Sequence, residues 1–323
     1  MKDIFHFSKI EKDGQVLNII KPKDSYANLD YLVKFIEIDK EYINNLLLKS
    51  GAILFRGFNI SSQKDFLVIR NTLTSDYSFE YIDGNSPRKI LSKGIYTSTE
   101  FPKDQTITIH NELSYSSNWP SRLYFFCESP SIHGGETPIV DCRYILKILN
   151  QEIIKLFDTL NVKYTRFLHD GHGLGKSWID TFQTSSKVEV ENYCKKHKFD
   201  FFWEGQSLYI SQIGLGIATH PITREKVWFN QANQFHPSSL QEDVYDAMKL
   251  LFSGNTYKYP HYAYFGNGQE IQEDYLFQIT SAFEQSSIKF KWEKGDFLYL
   301  DNMLMAHGRM PYIGERKILV SMS

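Results

Sequence analysis

Residues 107–115 read ITIHNELSY, and the fold turns on how this stretch is read. In an extended strand, alternate side chains share a face. Ile107, Ile109, Asn111 and Leu113 then line one side, and Thr108, His110, Glu112 and Ser114 line the other. The first row suits a core. The second places an imidazole and a carboxylate two positions apart among hydroxyls, which is either a solvated strand face or the inside of a site.

The chain around this stretch has 323 residues, enough for one large domain or two average ones. Hydrophobic residues at 42% and charged residues at 23% exclude a disordered chain. Aromatics reach 15%, with 24 Phe and 20 Tyr, which favours strands and a substantial core. A net charge of -2 gives no general pull toward nucleic acid or an anionic membrane, so neither is expected as a partner. Cys127, Cys142 and Cys194 are odd in number and lack CxxC spacing, which fits reduced thiols. The opening MKDIFHFSKIEKDGQ has no apolar signal core, and no segment approaches the roughly 18 apolar residues of a membrane span. These features lead to the expectation of a cytoplasmic protein.

Outward from ITIHNELSY, short apolar runs recur: AILFRGF before it, then SRLYFFCE, NVKYTRFL, FDFFWEG, SLYISQ, KVWFN and RKILVSM after it. Residues 1–50 read as charged and helix-compatible, closing on a leucine run and a glycine. YILKILNQEIIKLFDTL has apolar positions at helical spacing. Many short strands without strand–helix alternation point to a mainly β barrel or sandwich with flanking helices. No repeat, linker or composition break divides residues 1–323, so a single catalytic domain is expected. The polar, Gly-containing stretch at about 150–200 reads as an inserted lid.

Near the far end, GDFLYLDNMLMAHGRMPYIGERKILV (295–320) carries His307 after Asp301-Asn302. Either histidine alone is explained as well by a satisfied structural role. With Glu112 they supply two imidazoles and one carboxylate, a set that suits non-haem Fe(II) with open positions. Zinc is the rival metal, although neither an HExxH helix nor a CxxC pair is present. Spacing alone leaves a zinc hydrolase open.

Five motifs in order, TSTEFP (97–102), HNELSYSSNWP (110–120), HGGETPIVDCR (133–143), HPITREKVWFNQ (220–231) and the 295–320 stretch, resemble the TauD/TfdA family of Fe(II)/2-oxoglutarate-dependent dioxygenases. Within it they look most like the SyrP-like branch of amino-acid and carrier-bound amino-acid hydroxylases. The resemblance implies a double-stranded β-helix, a jelly-roll or cupin-like fold. It implies His110, Glu112 and His307 as iron ligands, with Arg316 and Thr137 on 2-oxoglutarate. It also implies Fe(II), 2-oxoglutarate and O2 as cofactors, with succinate and CO2 as co-products. Because Glu112 occupies the carboxylate position, hydroxylation of an unactivated C–H is expected rather than halogenation. Desaturation or cyclisation on the same cofactors, and a non-catalytic cupin-like metal-binding protein, are the alternatives. The substrate implied is amino-acid-like, free or tethered to a carrier protein, in biosynthesis.

On a closing strand Arg316, Ile318 and Val320 share a face, so one guanidinium would enter an apolar pocket, where it needs an anion. Arg309 is a second candidate cation on 2-oxoglutarate, or else a brace for Asp301 or Asp141. Candidates for substrate contact are Arg88, Ser98 and Thr99 in a hydroxyl-rich loop, and Trp228 and Asn230 on one strand face. DGHGLGKS (170–177) misses the phosphate-loop pattern at Asp170 and reads as lid. The basic CKKHK stretch is a candidate docking point for an acidic carrier.

Overall fold

The computed structural model describes residues 1–74, 79, 82–84, 90–92, 94–98 and 101–323. Arg88 and Thr99 lie outside the described residues. Of the five sheets among the described residues, one of eight strands and one of three frame the site. In the larger one, Phe297–Asp301 pairs antiparallel with Ala52–Phe55 and with Arg122–Ser129, which in turn pairs with Lys317–Met322. In the smaller one, Met305–Arg309 lies between Ile107–His110 and Ile139–Asp141.

Chain order shows what this is. Ile107–His110 lies in the small sheet, Arg122–Ser129 in the large and Ile139–Asp141 in the small. Phe297–Asp301 then lies in the large sheet, Met305–Arg309 in the small and Lys317–Met322 in the large. Apart from the strands between Val162 and Phe265, which form other sheets, these strands alternate between two facing sheets, which makes a double-stranded β-helix.

Both faces of these four strands of the large sheet are covered, so they read as largely unbroken apolar runs rather than alternating ones. Leu123, Phe125 and Cys127 face the space between the sheets, with Leu298, Leu300, Ile318 and Val320. Tyr124, Phe126, Phe297, Tyr299 and Leu319 face the other way, under Phe35, Leu47, Phe66 and Ile69 of three N-terminal helices. Each such Phe or Leu contributes roughly 1.5–3 kcal/mol of burial. The helix Gln63–Leu73 starts on a capping box between Ser62 and Asp65.

Two stretches differ from their reading in sequence. Residues 5–22 form a β-hairpin, Phe5–Lys12 with Gln15–Pro22, where helix was expected. Asp13 and Gly14 both take positive φ, the geometry of a two-residue hairpin turn. Within 150–200, the helix Gln151–Leu160 packs Ile153 and Phe157 into the main core and so belongs to the body. Beyond Leu168 the chain builds a small core of its own around Trp178, Phe182, Cys194 and Leu208.

Candidate metal centre

The strand that begins at Ile107 ends at His110; residues 112–115 form a turn with Leu113 at φ 56°. Glu112 is therefore delivered by a turn and not by strand alternation. Asn302 holds that turn: its Oδ1 accepts Glu112 N–H at 2.8 Å, and its Nδ2 donates to Glu112 O at 2.9 Å and Pro120 O at 2.8 Å. Asn111 closes the other side, donating to Asn302 O at 2.6 Å and accepting from Gln231 Nε2 on its carbonyl.

The alternation expected within the strand also fails. Ile107 and His110, three apart, both line the pocket between the sheets. The cause is one extra residue in this strand: His307 pairs with His110 and Arg309 with Ile107, so three steps here face two across Gly308. A Cβ on Gly308 would stand 2.6 Å from Ile107 O, so only glycine allows the approach.

His110, Glu112 and His307 converge with ligand atoms within 4.8 Å of one another, all buried. The two imidazole centroids are 4.8 Å apart. His110 Nδ1 is 2.8 Å from Thr108 O, which fixes it as the donor and makes Nε2 the nitrogen with a lone pair to offer. Gln234 Nε2 donates to the same carbonyl at 2.9 Å. His307 packs edge-on against Phe125, 5.1 Å between centroids.

Phe125, Ile318 and Val320 of the large sheet line the same pocket, with Thr137, Arg309 and Arg316. Arg316 Nε donates to Gly135 O at 2.9 Å and Nη2 approaches Thr137 Oγ1 at 3.4 Å. Among the described residues it pairs with no carboxylate. Burial, and then Arg309 nearby, push its pKa down to about 10. Thr137 Oγ1 also accepts Trp292 Nε1–H at 3.0 Å, so its own proton is available for an acceptor in the pocket. Gly135, at φ +74°, lets the Arg316 side chain pass: an added Cβ would meet Arg316 Cδ at 3.0 Å.

Arg309 lines the pocket, yet its Nη atoms go to backbone. They donate to Phe101 O at 3.0 Å, Pro102 O at 2.5 Å and Gln105 O at 2.9 Å. It braces neither Asp301 nor Asp141. Asp301 pairs with Arg122 and His220, and Asp141 with Arg143. Burial alone would raise the Asp301 carboxyl, but His220 and Arg122 together hold it below its usual value.

Ser98 lines the pocket, its N–H donating to Ile318 O at 3.0 Å. Trp228 and Asn230 do not line it. Trp228 is fully buried against Phe157, and Asn230 shapes a turn through Gly216 O and Ala232 N–H. The residues that sequence reading passed over, Asn302, Gln231 and Gln234, bond chiefly to backbone. Their one visible signal is amides within otherwise apolar surroundings.

A family model described as "Taurine catabolism dioxygenase TauD, TfdA family" matches residues 18–322. The dapdiamide synthesis protein DdaC of Enterobacter agglomerans is 34% identical over 307 residues, 95% of this chain and 90% of that protein. A clavaminate synthase-like protein of Arabidopsis thaliana is 27% identical, covering 91% and 88%. PvcB of Pseudomonas aeruginosa shares the fold, with a TM-score of 0.55 at 10% identity over 98% of this chain and 90% of PvcB. PvcB is an Fe, α-ketoglutarate-dependent oxygenase from an isonitrile synthetic pathway.

Proposed function

From the premise that this chain belongs to the TauD/TfdA family of Fe(II)/2-oxoglutarate-dependent dioxygenases, we propose that it hydroxylates an unactivated C–H bond of an amino-acid-like substrate in biosynthesis. The observation that carries the reading is the buried His110, Glu112 and His307 set beside a guanidinium that pairs with no carboxylate among the described residues.

The residues fit the group they are proposed to hold. Two imidazoles and one carboxylate suit Fe(II) and leave positions for exogenous ligands. When bound, iron with 2-oxoglutarate and O2 supplies oxidative decarboxylation to succinate and CO2 and the transfer of one oxygen atom to a C–H bond. Arg316 would take the distal carboxylate through its fork, and Thr137 would donate its hydroxyl proton to the same anion. Phe125, Ile318 and Val320 exclude water from the cavity they line. Ser98 is the polar group proposed to meet substrate, while Arg309 would act by holding loop 101–105 in place.

A carrier-tethered substrate is supported by Lys195, Lys196 and Lys198, exposed at the end of the helix Lys187–Lys196. His197 among them hydrogen-bonds Ser117, in the stretch that follows Glu112. Among the described residues no helix is long and apolar enough to cross a membrane, and all three cysteines are free and buried. A cytoplasmic enzyme is the corresponding proposal.

The test is a screen of amino acids, free and carrier-loaded, for oxoglutarate-coupled mass change. A gain of one oxygen with stoichiometric succinate supports hydroxylation, whereas loss of two hydrogens redirects the reading to desaturation or cyclisation. No succinate with any substrate, and zinc rather than iron in anaerobically purified protein, would overturn it.

A further inference from the structure

The turn that carries Glu112 has a second anchor, remote from Asn302. Tyr115, 3% exposed, gives its carbonyl to Gln212 Nε2 at 2.6 Å and packs its ring 4.7 Å from Phe235. Its hydroxyl donates to the carbonyl of Asp83 at 3.0 Å. Asp83 is wholly buried and holds a left-handed backbone at φ 67°, uncommon for a residue other than glycine.

Three further residues hold this junction. Arg166, on the strand Val162–Leu168, donates Nη2 to Asp83 Oδ1 at 2.5 Å and Nη1 to Asp83 O at 3.1 Å. The Asp83 N–H donates to Thr181 O at 3.1 Å, and Lys176 Nζ donates to Gly84 O at 2.6 Å. The Arg166 guanidinium also lies over the Tyr115 ring, 5.4 Å from its centroid. Asp83 Oδ2 remains buried with no partner among the described residues.

Such a pair is weak evidence for stability. Its desolvation cost often cancels its attraction, and neutral replacements of like volume are frequently tolerated. What this pair does is geometric. It fixes residues 82–84 to the turn of Glu112, to the strand Val162–Leu168 and to the small core beyond Leu168.

We infer that the buried Asp83–Arg166 pair, acting through Tyr115, is a positioning device that sets the Glu112 carboxylate and couples the iron site to residues 82–84. The inference rests on the iron-site reading above. Asp83 and Arg166 touch neither metal nor substrate; they act through the turn. Coupling of this kind is reciprocal, so metal binding tightens residues 82–84 as well as 111–117.

Two full-length variants test it: Tyr115→Phe, which removes one hydroxyl, and the double variant Asp83→Asn/Arg166→Met, which removes both charges together. Readouts are thermal melting, anaerobic Fe(II) titration with 2-oxoglutarate present, and amide hydrogen exchange. The double variant folds with near-parental melting, binds Fe(II) about tenfold more weakly, in the range that losses around ligand residues produce, and loses protection at 111–117. Tyr115→Phe shows the same change to a smaller degree. A folded double variant with parental iron affinity and parental exchange at 111–117 overturns the inference. Should the double variant not fold, Tyr115→Phe decides by the same two readouts. If the parent binds no iron, the iron reading fails, while exchange at 111–117 in the variants still judges the latch.

Discussion

Asn302 grips Glu112 by both backbone polar groups, accepting its N–H at 2.8 Å and donating to its carbonyl at 2.9 Å. Asn302 is wholly buried, so the bonds it makes to this turn are shielded from water.

Asn302→Ala therefore orphans buried groups, at a cost of about 1–3 kcal/mol in stability. It also lowers iron affinity by roughly 10–100-fold, as loss of a group orienting a ligand does. Chemical denaturation and anaerobic iron titration check the two effects separately. Parental iron affinity would show that Asn302 serves the fold alone.

Arg316→Lys keeps the charge and loses the fork. The KM for 2-oxoglutarate rises on the order of 10–100-fold, in line with losing charge-assisted bonds of about 1.5–3 kcal/mol, while iron binding stays. Thr137→Val removes one neutral donor and raises it by roughly 2–10-fold. Steady-state kinetics and iron titration on the same preparations separate the cosubstrate from the metal. Unchanged KM in both variants would place 2-oxoglutarate elsewhere.

Gly308→Ala forces a Cβ to within 2.6 Å of Ile107 O. The strand must shift, and His307 moves with it. The expected outcome is a folded protein with a lower melting temperature and iron affinity reduced at least tenfold, comparable to other losses around the ligands. Retained affinity would mean that the slip in register at Gly308 does not set His307.

Burial holds the His236 imidazole down to about 4, so the folded protein keeps it neutral. As pH falls below the unfolded value of about 6.5, the unfolded chain gains a proton that the folded chain refuses. This contribution is complete above pH 6.5 and is lost as pH falls toward 4. Urea melts across that window should show falling stability, with a shallower slope in His236→Gln. Equal slopes would assign the acid loss to other groups.

Some of the site was legible in the sequence. Residue types at 110, 112 and 307 suggested a metal set, and Arg316 lines one pocket with Ile318 and Val320 although it precedes the strand Lys317–Met322, so alternation alone does not place it. Strand periodicity misled at Glu112, because it assumes one continuous strand. The positive φ of Leu113 and the grip of Asn302 take that residue out of the ladder. The same rule put Ile107 on the face opposite His110 and missed that a glycine two hundred residues on would admit a slip. Trp228 obeyed its pattern but found the core, since a ring of that size packs against Phe157. Arg309 was legible as a cation but not as a loop clamp, because carbonyl partners leave no mark on side-chain chemistry. The hairpin at residues 5–22 was announced only by Asp13-Gly14, a local signal within charged sequence that read as helix.

All of this depends on His110, Glu112 and His307 holding Fe(II) with 2-oxoglutarate beside it. Anaerobic addition of Fe(II) and then 2-oxoglutarate, followed by visible absorption, reads that arrangement without needing the substrate. The parent protein should develop a weak charge-transfer band that saturates with 2-oxoglutarate and is absent in His110→Ala. A parent without the band, or a His110→Ala variant that keeps it, would contradict the assignment.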